Sequence, residues 1–223
     1  MKILLINDMN YDFAKPDGKL YVPGGESTIT FLQKFIDRIT PETYDYIFIV
    51  NDLHFTGEYE QTEESKAFPE HCMYGTKGAS MAVDITPLQA KGIPLYFMNK
   101  NYFSMWTENH TDYLEYVKKA NPDNPQIVSV YQNLFCVGNN QYADKNTLPR
   151  DKFFPVSLAG WKVDVVGLAS DYCVRSAVEG FLERGAEVTV LAEMTKGISK
   201  DIYAVAKEIN NPSLIVRNVF KDR

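Results

Sequence analysis

The chain has 223 residues, enough for one large domain, and its 45% hydrophobic and 23% charged content is ordinary for a globular protein. Its net charge of −6 comes without any basic cluster, which argues against nucleic acid or an anionic membrane as a partner. No apolar run approaches the roughly 20 residues of a membrane span, and the first residues lack a signal-peptide pattern. The three cysteines are odd in number and show no CxxC spacing. We therefore expect one domain over residues 1–223, in the reducing cytoplasm and without a disulfide framework.

Short apolar runs alternate with amphipathic stretches along the chain. Strands are predicted at 2–7, 44–50, 94–99, 161–166, 187–192 and 213–216. Helices are predicted at 27–39 with Ser27 as N-cap, at 114–119, at 174–182 before Gly185, and at 201–209. Residues 121–155 are rich in Asn, Asp and Pro, and we expect an extended irregular region there with one strand at 127–131. The alternation predicts an α/β fold, a three-layer α/β/α sandwich around a mostly parallel sheet of about six strands.

Polar side chains follow four of the predicted strands. They are Asp8, the pair Asp52 and His54, Lys100, and Cys173. Because ligands of parallel sheets bind beyond the carboxyl ends of the strands, these residues predict a site at that edge. Cys173 lies where a strand gives way to a helix, and a helix N-terminus lowers a thiol pKa and favours a nucleophile. A small buried cysteine with no chemical role is the alternative interpretation.

Asp52 and His54 are two residues apart, so an extended backbone directs both side chains to the same face. Carboxylate and imidazole groups are suitable ligands for a first-row metal, and His71 with a glutamate could complete the set. An ordinary solvated loop also explains an isolated Asp-x-His. Two of the three histidines fall in this one segment, which favours the metal site.

Six segments form an ordered series of motifs. They are DMNYDF at 8–13, KLYVPGG at 19–25, DLH at 52–54, ESKAFPEHCMYGTKG at 64–78, KNYFS at 100–104 and GLASDYCVR at 167–175. Together they resemble the nicotinamidase branch of the isochorismatase-like cysteine hydrolases. Asn10 stands where that family usually has Gln, and Phe103 stands where it has Tyr.

The resemblance implies a catalytic triad of Asp8, Lys100 and Cys173. It also implies a cis peptide bond leading into Ala169, and an oxyanion hole made by the backbone N–H groups of Ala169 and Cys173. Three aromatic residues, Phe13, Phe68 and Phe103, could wall a flat substrate slot, although each is also an ordinary core aromatic. Cys72, beside His71, could be a neighbour of the metal, although simple packing is the favoured interpretation, and nothing near Cys136 indicates a role.

The resemblance further implies one divalent metal ion, which we expect to be zinc, with iron and manganese as alternatives. Its implied ligands are Asp52, His54, Glu64 and His71. Glu58 and Glu60 remain alternatives to Glu64.

The expected activity is metal-assisted hydrolysis of nicotinamide to nicotinate and ammonia through a cysteine thioester. The expected partner is a small-molecule substrate, and the sequence leaves a homo-oligomer open. Two alternatives remain. One is another cysteine amidohydrolase of the superfamily that acts on a carbamoyl or ureido substrate, a group that generally lacks the metal ligands. The other is a catalytically silent binding protein on the same fold.

Overall fold

A computed structural model describes residues 1–108, 112–143 and 145–220. In these residues one sheet contains eight strands in the order β5-β4-β3-β2-β1-β6-β7-β8. The strands are β1 Lys2–Asn7, β2 Tyr46–Asp52, β3 Leu95–Lys100, β4 Cys136–Gly138, β5 Leu148–Pro149, β6 Lys162–Leu168, β7 Glu187–Lys196 and β8 Leu214–Arg217. Strands β1, β2, β3, β6, β7 and β8 are parallel, whereas β4 and β5 pair antiparallel at one edge. The predicted mostly parallel α/β fold is confirmed.

The helices cover both faces of this sheet. They are α1 Tyr11–Ala14, α2 Gly25–Arg38, α3 Thr86–Ala90, α4 Leu114–Ala120, α5 Pro125–Gln132, α6 Arg150–Phe153, α7 Cys173–Glu183 and α8 Ile202–Ile209. Three 3₁₀ turns lie at Tyr59–Gln61, Glu64–Lys66 and Lys77–Ala79. Within the described ranges, no helix combines the length and the apolar character that crossing a membrane requires.

Successive residues of the central strands enter opposite layers of the core. In β1, Ile3 and Leu5 pack with the buried side of α7 and α8, while Leu4 and Ile6 pack with that of α2. Since the side chains of a strand alternate between its two faces, near-continuous apolar runs are what a sheet covered on both faces requires. The three layers follow directly from that pattern.

The prediction of about six strands is wrong because β4 and β5, both within 121–155, add two more. These strands have three and two residues, too few to produce a periodic pattern. The strand predicted at 127–131 is also wrong, because these residues belong to α5. Pro125 occupies its first turn, and the Asn124 side chain caps it by accepting a hydrogen bond from the Ile127 N–H.

The prediction that Ser27 caps α2 is wrong as well. The helix begins two residues earlier, with Gly24 at the N-cap in a left-handed conformation. The Ser27 hydroxyl donates a hydrogen bond to the Gly24 carbonyl at 2.7 Å, so it lies within the first turn.

Strand register brings the polar strand ends together. Asn7 lies opposite Val50 of β2 and Gly167 of β6, and Asp52 lies opposite Lys100 of β3. Because these strands run parallel, the residues that end or follow them meet at one edge of the sheet.

Candidate active site

Asp8, Lys100 and Cys173 meet at the carboxyl edge of the sheet, as the resemblance implied. Lys100 lies between the other two, with its Nζ 2.8 Å from Asp8 Oδ2 and 3.6 Å from Cys173 Sγ. Lys100 ends β3, Asp8 follows β1, and Cys173 begins α7. All three side chains are buried. An acid, an amine and a sulfur from three distant parts of the chain are therefore in direct contact, shielded from water.

The charges of this group depend on burial and on one another. Burial raises the pKa of Asp8 to about 6, although Lys100 opposes the rise. Burial alone would lower the pKa of Lys100, but Asp8, Cys173 and Asp52 hold it well above its ordinary value. The ammonium therefore stays charged at neutral pH, and the carboxyl of Asp8 has a pKa suited to exchanging a proton near pH 6.

The expectation that the pKa of the Cys173 thiol is lowered is wrong. Burial raises the pKa of the Cys173 thiol well above its ordinary value. The Lys100 ammonium opposes this rise, and the Asp8 and Asp52 carboxylates add to it. Desolvation is the largest cause of this rise, because burial disfavours the charged thiolate. The resting sulfur is therefore a thiol, which needs a base to become a nucleophile.

Backbone donors lie beside this sulfur. The Leu168–Ala169 peptide bond is cis, as the resemblance implied. The Ala169 carbonyl accepts hydrogen bonds from the N–H groups of Tyr172 and Val174, which folds the start of α7 around it. In the described part of the chain the N–H groups of Ala169 and Cys173 have no acceptor. Both can therefore donate to a ligand oxygen.

A second cluster next to the triad consists of Asp52, His54 and His71. Asp52 Oδ2 lies 3.1 Å from His54 Nε2 and 3.3 Å from His71 Nε2, and one ligand atom of each residue lies within 4.8 Å of the others. None of these three atoms has a hydrogen-bond partner among the residues described, although all are buried. Buried nitrogen and oxygen donors that converge in this way, without partners, are well suited to a divalent metal ion.

Glu64 lies beside the same cluster. Its Oε2 is 3.7 Å from His54 Nε2, and its Oε1 is 3.5 Å from His71 Nε2. Glu60, by contrast, is exposed and accepts a hydrogen bond from the Gly57 N–H at 2.9 Å. Glu58 lies on the far side of His54, with Oε2 3.6 Å from Nδ1. Of the three candidate glutamates, only Glu64 faces the nitrogens that converge on Asp52.

Carboxylates dominate the electrostatics of this cluster. Burial would raise the pKa of Asp52, yet Lys100 and His54 hold it well below its ordinary value. Burial would lower the pKa of His71, but Asp52 and Glu64 raise it to about 9. The same carboxylates that favour a proton on the imidazole would favour a metal cation in its place. Asp52 also contacts Lys100 through Oδ1 at 3.1 Å, which joins this cluster to the triad.

One pocket reaches both groups. It is lined by Phe13, Leu20, Val22, Asp52, Glu64, Phe68, Phe103, Ala169, Tyr172, Cys173 and Ile198. The three phenylalanines expected to wall a substrate slot all border it. The ring centroids of Phe68, Phe103 and Tyr172 lie 5.6–6.2 Å apart, which gives the pocket an aromatic side. Apolar and aromatic walls with a few polar groups among them are typical of a small-molecule site.

Sequence reasoning missed several of these residues. Leu20 and Val22 belong to the KLYVPGG motif, and the Val22 N–H donates to the Phe13 carbonyl, which brings the loop over the pocket. Nothing in the sequence pointed to Ile198. It reaches the pocket because the Asp171 carboxylate accepts hydrogen bonds from the N–H groups of residues 198, 199 and 200 at 2.7–3.0 Å.

Asn10, which departs from the family pattern, does not line the pocket. Its side chain donates to the carbonyls of Asp52 and Ala79 at 3.0 and 3.1 Å and accepts from the Asp52 N–H at 3.2 Å. Asn10 therefore fixes the backbone of Asp52, one of the three residues suited to bind a metal ion. The motif position indicated a role at this site, but only the contacts identify it.

No family model matches the chain. The nicotinamidase/pyrazinamidase of Mycobacterium tuberculosis is 27% identical to it over 220 residues, which is 93% of each chain. The nicotinamidase of Saccharomyces cerevisiae is 23% identical over 240 residues, again 93% of each chain.

Solved structures show the same architecture. A zinc complex of the Pyrococcus horikoshii pyrazinamidase superposes with a TM-score of 0.62 at 22% identity, covering 98% of this chain and 99% of that one. A yeast nicotinamidase bound to the inhibitor nicotinaldehyde superposes with a TM-score of 0.60 at 21% identity, covering 98% and 100%. The chain is therefore similar over nearly its whole length to nicotinamidases, and it has the fold of the nicotinamidases and pyrazinamidases of known structure.

Proposed function

We propose that the protein hydrolyses nicotinamide to nicotinate and ammonia through a thioester on Cys173. The observation that carries this proposal is the contact of Asp8, Lys100 and Cys173 at the wall of an aromatic pocket that also reaches Asp52 and Glu64. The names of the relatives with similar sequences support the substrate.

In the first half of the reaction, Asp8 takes the proton of the Cys173 thiol, and the sulfur attacks the carboxamide carbon. Lys100 remains a cation and stabilises the thiolate as it forms. The N–H groups of Ala169 and Cys173 donate to the carbonyl oxygen as it becomes negative, and each such donor contributes about 3 kcal/mol in comparable sites. Asp8 then gives its proton to the nitrogen, the C–N bond breaks, and ammonia leaves.

In the second half, a water molecule attacks the thioester carbon. Asp8, again a carboxylate, accepts the proton of that water, and the same two N–H groups stabilise the second oxyanion. Collapse of this intermediate breaks the C–S bond, and Asp8 returns its proton to the sulfur. The product acid loses its own proton to solvent and leaves as nicotinate. A carboxyl with a pKa of about 6 suits both directions of proton transfer.

Asp52, His54 and His71 would hold the divalent ion, and Glu64 beside them would be the fourth ligand. We take the ion to be zinc because of the mixed nitrogen and oxygen donors and the zinc complex of the pyrazinamidase with the same fold. When bound, the ion supplies a Lewis-acid site for the ring nitrogen of the substrate and so orients the ring. Phe13, whose ring centroid lies 5.3 Å from that of His71 with the two rings tilted, would then border the substrate ring.

Ammonia release from nicotinamide by zinc-loaded protein tests this proposal. We expect Cys173→Ala to abolish turnover, because the Cys173 thiol lies 3.6 Å from Lys100 Nζ and lines the pocket. Cys136→Ala is the matched control, since Cys136 lies on β4 outside the pocket, and it should retain wild-type activity. A wild-type protein that ignores nicotinamide but cleaves a carbamoyl or ureido compound would instead favour the related amidohydrolase activity.

A further inference from the structure

Behind His54 lies a second buried carboxylate, that of Glu58. The chain turns sharply after β2, and the N–H groups of Glu58 and Tyr59 both donate to the Phe55 carbonyl at 3.0 Å. This turn places Glu58 Oε2 3.6 Å from His54 Nδ1, on the side of the ring opposite to Asp52. The His54 imidazole therefore lies between two carboxylates, and both of its neighbours are buried.

The position of Glu58 is held on both of its oxygens. Oε2 accepts a hydrogen bond from the Phe55 N–H at 3.1 Å, and Oε1 accepts one from the Asn101 side chain at 2.8 Å. In the ranges that the structure describes, His54 is the only basic side chain within 4.0 Å of this carboxylate. Burying a carboxylate is costly unless a positive group or hydrogen bonds compensate for the lost water. Glu58 therefore depends on His54 for its only basic neighbour in these ranges, and we infer that the two side chains act together.

His54 Nδ1, 3.6 Å from Glu58, has no hydrogen-bond partner among the described residues, so the carboxylate acts on it through its charge. His71 has a similar arrangement with a closer acceptor. Its Nδ1 lies 2.8 Å from the Pro69 carbonyl oxygen, and its Nε2 faces Asp52 and Glu64. Both imidazoles thus present Nε2 to the cluster and Nδ1 to an oxygen. A histidine that binds a metal through Nε2 must carry its proton on Nδ1. A hydrogen-bond acceptor at Nδ1, as in His71, or a negative charge close to it, as in His54, favours that tautomer.

We propose that Glu58 is a positioning residue of the metal centre. Its carboxylate faces His54 Nδ1 and keeps His54 Nε2 available as a ligand, and Glu58 does not bind the ion itself. This proposal rests on the metal site of the proposed function. Asn101, the residue after Lys100, extends the support to β3, so the ends of two neighbouring strands jointly orient one ligand.

The test compares Glu58→Gln with Glu60→Gln. Glutamine preserves the shape of the side chain but removes the negative charge beside His54. Its carbonyl oxygen can accept from the Phe55 N–H, and its NH2 group can donate to Asn101 Oδ1 once the Asn101 amide turns over. We measure the zinc dissociation constant by competition with a chelator, the visible absorption of the Co²⁺ form, and the melting temperature of the metal-free protein. Glu58→Gln should weaken zinc binding by about 10- to 100-fold and alter the Co²⁺ spectrum. Glu60→Gln, which changes an exposed carboxylate two residues away, should do neither.

A second variant makes the test independent of how well Glu58→Gln folds. Asn101→Ala removes the hydrogen bond to Glu58 Oε1 and should weaken zinc binding in the same direction by a smaller factor. Unchanged zinc affinity in folded Glu58→Gln would overturn the proposal, and so would a variant whose only defect is a lower melting temperature without metal.

These outcomes are distinct from failure of the proposed reaction. A wild-type protein that binds zinc but releases no ammonia from nicotinamide contradicts the reaction alone, and the comparison of zinc affinities still decides the role of Glu58. A wild-type protein that binds no zinc overturns both.

Discussion

Gly167 lets strands β1 and β6 approach each other closely beside the candidate active site. It lies opposite Asn7, and Asp8 is the next residue of that chain segment. A Cβ atom at position 167 would lie 1.8 Å from the Asn7 carbonyl oxygen, and the φ of +132° is one that side chains rarely adopt. Gly167→Ala therefore tests whether the geometry of the triad depends on this strand contact.

The size of the effect follows from the distances. Real Cβ contacts are essentially never shorter than 3.0 Å, so the strands would have to separate locally by about 1.2 Å. Overpacking of this kind costs about 1–3 kcal/mol, and the unfavourable φ costs another 1–3 kcal/mol or so. A displacement of about 1 Å at a reacting group can cost about 100-fold in rate. We expect Gly167→Ala to lose about 2–6 kcal/mol of unfolding free energy and about 100-fold in kcat/KM.

Gly160→Ala is the matched control, because Gly160 also has a positive φ of +79° but no heavy atom within 4 Å of the added Cβ. It should show only the backbone cost of about 1–3 kcal/mol and an unchanged kcat/KM. Urea denaturation gives the free energies, and ammonia release from nicotinamide gives the rates at a temperature where both variants are folded. If the two variants behave alike in both assays, the strand contact does not control the site.

Three further predictions concern the pocket and its charges. Since Asp8 must be a carboxylate to accept the thiol proton, and its pKa is raised to about 6, kcat/KM should fall as the pH decreases through about 6. A pH profile that stays flat down to pH 4.5 would contradict this. Chelation should abolish activity, and added zinc should restore it in the wild type but much less in His71→Ala; equal metal content in the two proteins would exclude His71 as a ligand. Asp171→Ala should release the segment that carries Ile198, which lines the pocket. We expect KM to rise about tenfold with little change in kcat, because a tenfold loss of binding corresponds in free energy to about one charge-assisted hydrogen bond. Steady-state kinetics with an unchanged KM would refute that role.

Much of the architecture was readable from the amino-acid sequence. Buried strands of six or seven residues, such as β1 and β2, show as continuous apolar runs because both of their faces enter the core. Parallel strands then require that the polar residues after them meet at one edge. That geometric necessity is why Asp8, Lys100 and Cys173 could be grouped before any contact was known.

Short elements were not readable, because their local signals are ambiguous. The run at 127–131 contains β-branched residues and resembles a strand, but Asn124 and Pro125 start a helix there. Strands β4 and β5 exist only because they pair with the edge of the sheet. Tertiary contacts decide such segments, since two or three residues cannot specify their own conformation.

The amino-acid sequence and the tertiary structure each determined part of the site. Motif spacing selected the residue types, namely carboxylates, imidazoles, an amine and a thiol. Only the folded chain distinguished Glu64 from Glu58, because the two carboxylates lie on opposite sides of one imidazole. The sign of the thiol pKa shift at Cys173 was likewise set by burial, a property of the whole fold. The sequence by itself therefore determined which chemistry is available and at which edge of the sheet, whereas tertiary packing decided direction, distance and charge, because these depend on neighbours far away along the chain.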